Sequence, residues 1–249
     1  MTLKETAIPF QDLSEKGQTV RKMFDEIAPT YDRLNRLLSF QQDVRWRNRI
    51  FQSISNQENS QLLDVACGTG DILRMAEKKL NRFSKFVGVD ISKEMLNVCE
   101  KKIQQNISEL NQNKFYLIQA SAEQLPLESN TFDVVTISFG FRNVDNRPQA
   151  LKEFLRVLKP KGQLFILDFF EPKQSLFSKF FLFYFHSILP TLGNLLSKHK
   201  NAYSYLPKSV ATMPPQKIFE EMLCENGFSF IKCESFLFGG VRLFQVQKN

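Results

Sequence analysis

At 249 residues, 43% hydrophobic and 24% charged, the chain has the composition of a cored globular protein and is neither disordered nor fibrous. Its four cysteines, Cys67, Cys99, Cys224 and Cys233, form no C-x-x-C pair and have no histidine at ligand spacing, so neither a metal site nor a disulfide framework is signalled. A net charge of +7 and twenty-five phenylalanines depart from the average and leave nucleic acid, membrane and an apolar ligand as partner classes to be separated.

The opening MTLKETAIPFQDLSEKG has neither the apolar core of a signal peptide nor an Arg/Ser-rich transit character, so a cytoplasmic protein is expected. Residues 17–53 carry Val20, Met23, Phe24, Ile27 and Tyr31 at helical spacing with Pro29 interrupting, which predicts two helices or one broken helix. Residues 61–66 (QLLDVA) run apolar into Cys67-Gly68-Thr69-Gly70, after which Ile72, Leu73, Ala76 and Leu80 space as an amphipathic helix. The unit then repeats, with strands expected at 86–90, 115–119, 132–138 and 162–169 and helices at 95–107 and 148–158.

Strands alternating with helices of this length predict an α/β fold, a Rossmann-like, doubly wound and mainly parallel sheet. A late helix at 215–226 and strands at 228–236 and 241–247 would add an antiparallel edge strand. The expected organisation is one domain over 1–249: an N-terminal helical cap at 17–53, a core at 61–170, a helical, Phe-rich cover at 171–214, and a C-terminal helix and strands at 215–249.

From the end of the core into the cover, residues 165–185 hold eight phenylalanines, so the surplus reads as a local feature. Phe177, Phe180, Phe181, Tyr184 and Ile188 form one helical stripe, fit for an isoprenoid tail or a membrane surface on one reading, and for a buried helix or a homodimer interface on the other. Lys179, His186, Pro190, Gly193 and Asn194 break the apolar run at 176–196, which argues against a membrane-spanning helix.

A glycine turn between a first strand and its helix brings ligand close to backbone N–H groups, and an acid ending the second strand can hold a ribose diol. Gly68, Gly70 and Asp90 meet those requirements. The third glycine of a dinucleotide fingerprint is absent, its place being held by Leu73. Asp64 and Asp71 beside the turn would repel a pyrophosphate and suit a ligand bearing ammonium and sulfonium groups, such as S-adenosyl-L-methionine. Ser121-Ala122-Glu123 after the third strand is an adenine-binding loop or an ordinary surface loop. Ser138, Arg142 and Asn143 close the fourth strand, where ligands of such sheets react.

At this point LLDVACGTGD, GVDISKEML, SAEQLPLESNTFDVVTISFGFRNV and RVLKPKG resemble the successive motifs of class I methyltransferases. KMFDEIAPTYDRLNRLLSF, SFGFRNV and AYSYLPKSV make the chain similar to the ubiquinone/menaquinone biosynthesis C-methyltransferases, demethylmenaquinone methyltransferase type, from about Val20 to Lys248. The resemblance implies C-methylation of a polyprenylated quinol ring from S-adenosyl-L-methionine, with demethylmenaquinol ahead of the benzoquinol of ubiquinone biosynthesis. The cofactor residues expected are Asp64, Gly68, Thr69, Gly70, Asp90, Met95, Ser121, Ala122 and Ser138, with Arg142 and Asn143 at the ring and no metal. Tyr31, Phe180, Phe181 and Tyr184 are expected to meet the substrate, although Tyr31 at helical spacing is equally a core residue. Cys67 and Lys161 depart from the family's pattern: many members have glycine at the first place, and KPGG is usual around the second.

A ring carbon becomes a good nucleophile when the neighbouring hydroxyl loses its proton. Arg142 would stabilise the resulting anion, because a guanidinium does not act as an ordinary base. His186 and His199 are selected by no motif. A nucleic-acid methyltransferase is disfavoured by Ser138-Phe139-Gly140-Phe141 where a Pro-Pro-aromatic motif belongs and by the dispersal of basic residues. The same fold also admits a methyltransferase of another polyphenol and a catalytically inactive binding protein; the intact Asp64, Gly68, Gly70, Asp90 and Arg142 speak against the latter. The surplus positive charge then reads as attraction to an anionic membrane face, worth about 1 kcal/mol per well-placed Lys or Arg.

Overall fold

Runs that are apolar on both faces make the centre of a parallel sheet, because helices cover them from above and below. In the computed structural model, which describes residues 13–55, 57–172 and 202–249, the three runs expected to do so occupy that position. They are β1 (Gln61–Val65), β2 (Lys85–Asp90) and β4 (Phe132–Ser138). With β3 (Phe115–Gln119), β5 (Leu158–Phe169), β6 (Phe228–Phe236) and β7 (Val241–Lys248) they form one seven-stranded sheet in the order β3-β2-β1-β4-β5-β7-β6. β1 to β5 pair in parallel, while β7 pairs antiparallel with both β5 and the edge strand β6. The doubly wound architecture expected from the sequence is therefore present, and its strand order reverses between β1 and β4.

The helices are α1 (Glu15–Ile27), α2 (Tyr31–Leu38), α3 (Gln42–Phe51), α4 (Asp71–Lys79), α5 (Lys93–Asn106), α6 (Glu109–Gln112), α7 (Arg147–Val157), α8 (Ala202–Val210) and α9 (Gln216–Glu225). The N-terminal region thus holds three helices where two, or one broken helix, were expected. The extra break is made by Phe40 and Gln41, both in the left-handed region at φ 50° and 61°. Neither residue type signals such a conformation, which usually falls to glycine or asparagine. Lys161 is left-handed as well at φ 66°. It lies within a β5 that begins directly after α7, earlier than expected.

Two apolar layers sandwich the sheet. One joins Leu63, Val65, Ile137 and Ile166 to α7 and α9 through Phe154 and Phe219. The other joins Leu62, Val134 and Phe165 to α3, α4 and α5 through Trp46, Leu73 and Cys99. Eleven of the twelve largest fully buried side chains among the described residues are phenylalanines. The phenylalanine surplus is therefore core material throughout the sheet, including the stacked Phe83, Phe86 and Phe115 and the edge-to-face set Phe170, Phe219 and Phe244. It is not confined to one segment as expected. Each such pair adds about 0.5–1.5 kcal/mol beyond area burial. Phe180, Phe181 and Tyr184, with most of the expected cover, lie outside the described residues. Among the described residues no helix is long and apolar enough to cross a membrane.

Candidate functional site

In an open α/β sheet the strand C-termini diverge where the order reverses, and the gap is a ready-made crevice. A cleft of about 850 Å³ occupies that place, at the ends of β1, β2, β3 and β4. Its floor is Val65, Ala66 and Gly68 after β1 and Ser138, Phe139 and Gly140 after β4. Ala66 and Phe139 are both left-handed, at φ 51° and 60°, on facing strand ends. Such strained, non-glycine backbone costs about 1–3 kcal/mol each and marks sites held in shape by their surroundings.

The roof is α1, which contributes Gly17, Val20 and Phe24. It is fastened at both ends. Lys16 reaches the Val144 carbonyl and the Asp145 carboxylate, each at 3.4 Å. Asp25 accepts from the Ser92 hydroxyl at 2.6 Å and from the Glu94 N–H at 3.2 Å, which also caps α5. Sequence reading missed these roof residues because their helical spacing is indistinguishable from that of a core-facing helix.

Of the residues expected at the site, Gly68, Asp90, Met95, Ser121, Ala122, Ser138, Asn143 and Tyr31 all line the cleft. Asp90 ends β2 as expected and accepts the Gly68 N–H at 2.7 Å and the Ser92 N–H at 2.8 Å. Burial pushes its pKa up to about 6 against the pull of those bonds. A carboxylate can accept up to about four hydrogen bonds, so acceptor capacity remains for a ribose hydroxyl. The Ser121 loop is pinned, with Glu123 accepting from the Asp145 and Asn146 N–H groups.

Asp64, Thr69, Gly70 and Arg142 are not among the described residues lining the cleft. Asp64 points into the sheet interior and accepts from the Thr136 hydroxyl at 2.6 Å, and burial raises its pKa to about 7. Asp71 turns to the N-terminal helices and pairs with Arg36, with Arg47 at 3.9 Å and Lys102 at 3.8 Å. Burial alone would raise the Asp71 pKa, but these cations outweigh it and hold the carboxyl below its usual range. The idea that both acids face a cationic ligand therefore gives way to a structural pairing for each. Thr69 donates to Asp32 at 2.6 Å, and Asp32 also pairs with Lys102. Gly70 is needed for two reasons: its φ is +81°, and a Cβ would strike the Cys99 sulfur. Cys67 lies buried on the same side, its thiol pushed well up by Cys99 and by burial, so it is neither exposed to the cleft nor activated.

Arg142 follows β4 in a 3-10 turn (Phe141–Asn143) and is anchored by Asp168 of β5. Its Nη1 donates to Asp168 at 2.6 Å and to the Phe139 carbonyl, and its backbone N–H donates to the other carboxylate oxygen at 3.0 Å. The guanidinium lies 5.5 Å from the Phe169 ring centre, and its Nε is buried without a partner. Ser138 Oγ and Asn143 Oδ1 are likewise buried without partners, and both residues line the cleft. Buried polar atoms normally find partners, and two of these three belong to residues that line the crevice. Tyr31 from α2 and Tyr205 from α8 face the same cation. Burial raises both phenols, while Arg47 and Arg142 pull Tyr31 down and Arg142 and Arg147 pull Tyr205 down. Tyr205 was not singled out from the sequence, although the AYSYLPKSV stretch contains it.

The arrangement offers an acid at the end of β2, a pinned loop beside it and, behind the lining at the β4 end, a cation fixed by Asp168. Among the described residues no cluster of His, Cys, Asp and Glu could hold a metal. The chain matches the model of the ubiE/COQ5 methyltransferase family over residues 12–248. It is 41% identical over 225 residues to the ubiquinone/menaquinone biosynthesis C-methyltransferase UbiE of Geobacter sulfurreducens, covering 90% of this chain and 86% of that one. It is 37% identical over 242 residues to the protein of the same name from Campylobacter jejuni, covering 94% and 99%. A solved SAM-dependent methyltransferase from Aquifex aeolicus shares the fold with a TM-score of 0.57 and 17% identity, over 95% of this chain and 98% of that one.

Proposed function

The chain belongs to the ubiE/COQ5 methyltransferase family, and on that premise we propose that it transfers a methyl group from S-adenosyl-L-methionine to a ring carbon of a polyprenylated quinol, demethylmenaquinol before the benzoquinol of ubiquinone biosynthesis. The observation that carries the reading is the pair Ser138 and Asn143, each lining the β4 end of the cleft with a buried, unpartnered polar atom, with Arg142 beside them in the same turn and behind the lining. The residues present fit the cofactor: Asp90 retains acceptor capacity at the end of β2, Gly68 leaves the floor open, and Ser138 Oγ is an orphan within the walls.

When bound, S-adenosyl-L-methionine supplies an electrophilic methyl group on a sulfonium. The protein's part is to hold and to polarise. Asp90 and the Ser121 loop grip the nucleoside end, and α1 keeps water out from above. Orientation of this kind is worth about 7–11 kcal/mol of barrier when the reacting atoms are aligned. Arg142 stays a cation in the protein, so it holds negative charge on a ring oxygen and lowers that hydroxyl's pKa without taking the proton itself. Asp168, fully buried, fixes the guanidinium through one Nη, and the Nε has no partner within the protein. Asn143 orients the hydroxyl.

A polyprenyl tail is collected from a bilayer. The net charge of +7 and the Phe-rich composition of the stretch at 171–214, which includes Phe180, Phe181 and Tyr184, support transient contact of a cytoplasmic enzyme with an anionic membrane face. The reading is tested by incubating the protein with methyl-labelled S-adenosyl-L-methionine and two reduced acceptors side by side, demethylmenaquinol and 2-methoxy-6-polyprenyl-1,4-benzoquinol. Label in the naphthoquinol is expected. Label confined to the benzoquinol would replace the substrate, and label in neither would refute the proposal.

A further inference from the structure

Two adjacent residues of α3 grip the two phenylalanines that meet Arg142. Trp46 packs against Phe139 at 6.2 Å and against Phe169 at 6.5 Å between ring centres, and Arg47 sets its guanidinium 5.0 Å over the centre of the Phe139 ring. The Phe139 and Phe169 rings are 5.1 Å apart, and the Arg142 guanidinium lies 5.5 Å from the centre of the second. Arg47, Phe139, Phe169 and Arg142 thus form one continuous run of contacts with a cation at each end.

Both ends are anchored. Arg47, buried, donates to Asp43 at 2.6 Å and stands 3.9 Å from Asp71, while Arg142 donates to Asp168 at 2.6 Å. Asp43 also accepts from the Ser39 hydroxyl at 2.8 Å, which fixes the carboxylate that holds Arg47. The link between the ends is Phe139, which is left-handed at φ 60°. Its N–H donates to the Leu167 carbonyl at 2.7 Å, and its own carbonyl accepts from Arg142 Nη1. A left-handed phenylalanine keeps its shape only because its surroundings impose it. Whatever holds the Phe139 ring therefore also sets the carbonyl on which Arg142 rests. Phe139 lines the cleft and Arg47 does not, so Arg47 acts at one remove. The cleft residue Tyr31 nevertheless feels both cations.

We propose that Arg47 is a positioning residue for the reaction: its guanidinium holds the Phe139 ring, and with it the carbonyl that seats the guanidinium of Arg142. A cation over a ring is directional and gains strength when both partners are desolvated, as Arg47 and Phe139 are. The N-terminal helices then serve the β4 end of the cleft as well as the glycine turn, because the same Arg47 stands beside Asp71. The inference rests on the proposed quinol methylation, in which Arg142 carries the charge of the ring oxygen.

The test joins a spectroscopic signal to kinetics in Arg47→Met, Arg47→Lys, Phe169→Leu and Arg36→Met. The nitrogen-15 resonance of the Arg142 Nε–H, identified by its loss in Arg142→Gln, reports the seat of that guanidinium directly. Arg47→Met should displace or broaden it and lower kcat about 5- to 30-fold, the range that a desolvated cation–π contact converts to, with the cofactor dissociation constant within about twofold. Arg47→Lys should restore part of both. Phe169→Leu breaks the run of contacts while sparing the Arg47–Asp43 pair, and should lower kcat to a similar extent. In an Arg142→Gln background Arg47→Met should cost less than about twofold more, since the residue it positions is gone. Arg36→Met removes a cation from the same acidic cluster without touching either ring, and should leave the Arg142 resonance in place. An unmoved resonance in Arg47→Met, an equal displacement in Arg36→Met, or a full additional loss in the double variant overturns the inference. An absence of methyl transfer to any quinol by the unaltered protein would refute the proposed reaction, while the resonance would still decide whether Arg47 seats Arg142.

Discussion

On the β1–β2 side of the cleft the charged groups near the ligand space are already paired within the protein. Asp90 is held by the Gly68 and Ser92 N–H groups, Asp32 by Thr69 and Lys102, and Asp71 by Arg36, Arg47 and Lys102. On the β4–β5–β7 side the opposite holds: Ser138 and Asn143 in the cleft wall, and Arg142, Arg147 and Arg242 outside the lining, each leave a buried polar atom unpartnered. The first side is a preformed cradle whose shape precedes its ligand. The second holds unmet hydrogen bonds, which on the proposed reading are completed when an oxygen-bearing acceptor arrives.

The sharpest way to break this contrast is to remove charge from the acceptor side. Arg142→Gln, which keeps a donor for Asp168, should lower turnover about 10²- to 10³-fold while the cofactor dissociation constant, measured calorimetrically, moves less than about twofold. Its mirror is Asp90→Ala, for which cofactor affinity should fall about 10- to 100-fold because a charged acceptor is lost, with turnover at saturating cofactor reduced far less. Equal effects of the two substitutions on cofactor binding would dissolve the distinction between the sides.

A smaller effect tests the interior of the cradle. Asp64 and Asp90 have pKa values raised to about 7 and about 6, so the folded state binds their protons more tightly than the unfolded chain does. Their stabilising contribution is complete below about pH 4 and is lost as pH rises through 6 and 7. Urea midpoints of the ligand-free protein should therefore fall between pH 5 and pH 8, and Asp64→Asn should flatten the fall and add about 1–3 kcal/mol at pH 8. A pH profile unchanged by Asp64→Asn would contradict the burial ascribed to that carboxyl. Lys161→Gly lies outside both sides and relieves a left-handed backbone. It should raise stability by no more than about 1 kcal/mol in thermal unfolding and leave binding and turnover alone.

The preformed side was also the legible one. QLLDVA, the Gly68–Gly70 turn and Asp90 at the end of FVGVD obey local rules of strand, turn and strand end, and the sheet was readable from the same runs. What escaped depended on contacts across the chain. Nothing near Arg142 in sequence announces Asp168, which lies on the next strand. Asp64 and Asp71 flank the turn in sequence, yet one turns inward to Thr136 and the other outward to α2 and α3. The α2–α3 break was hidden because Phe40 and Gln41 adopt a conformation their side chains do not favour. The phenylalanines misled for a related reason: a count along the chain shows clustering, whereas only the packed sheet shows that they fill the core from Phe83 to Phe244.

The contrast between the two sides is tested most directly by measuring cofactor affinity and single-turnover methyl transfer to demethylmenaquinol in the Asp90→Ala and Arg142→Gln proteins together. The expected result is a separation: weakened cofactor binding with transfer largely retained at saturation in the first, and intact cofactor binding with transfer lost about 10²-fold or more in the second. Loss of cofactor binding in Arg142→Gln, or full transfer by it, would contradict the assignment of the β4–β5–β7 side to the acceptor.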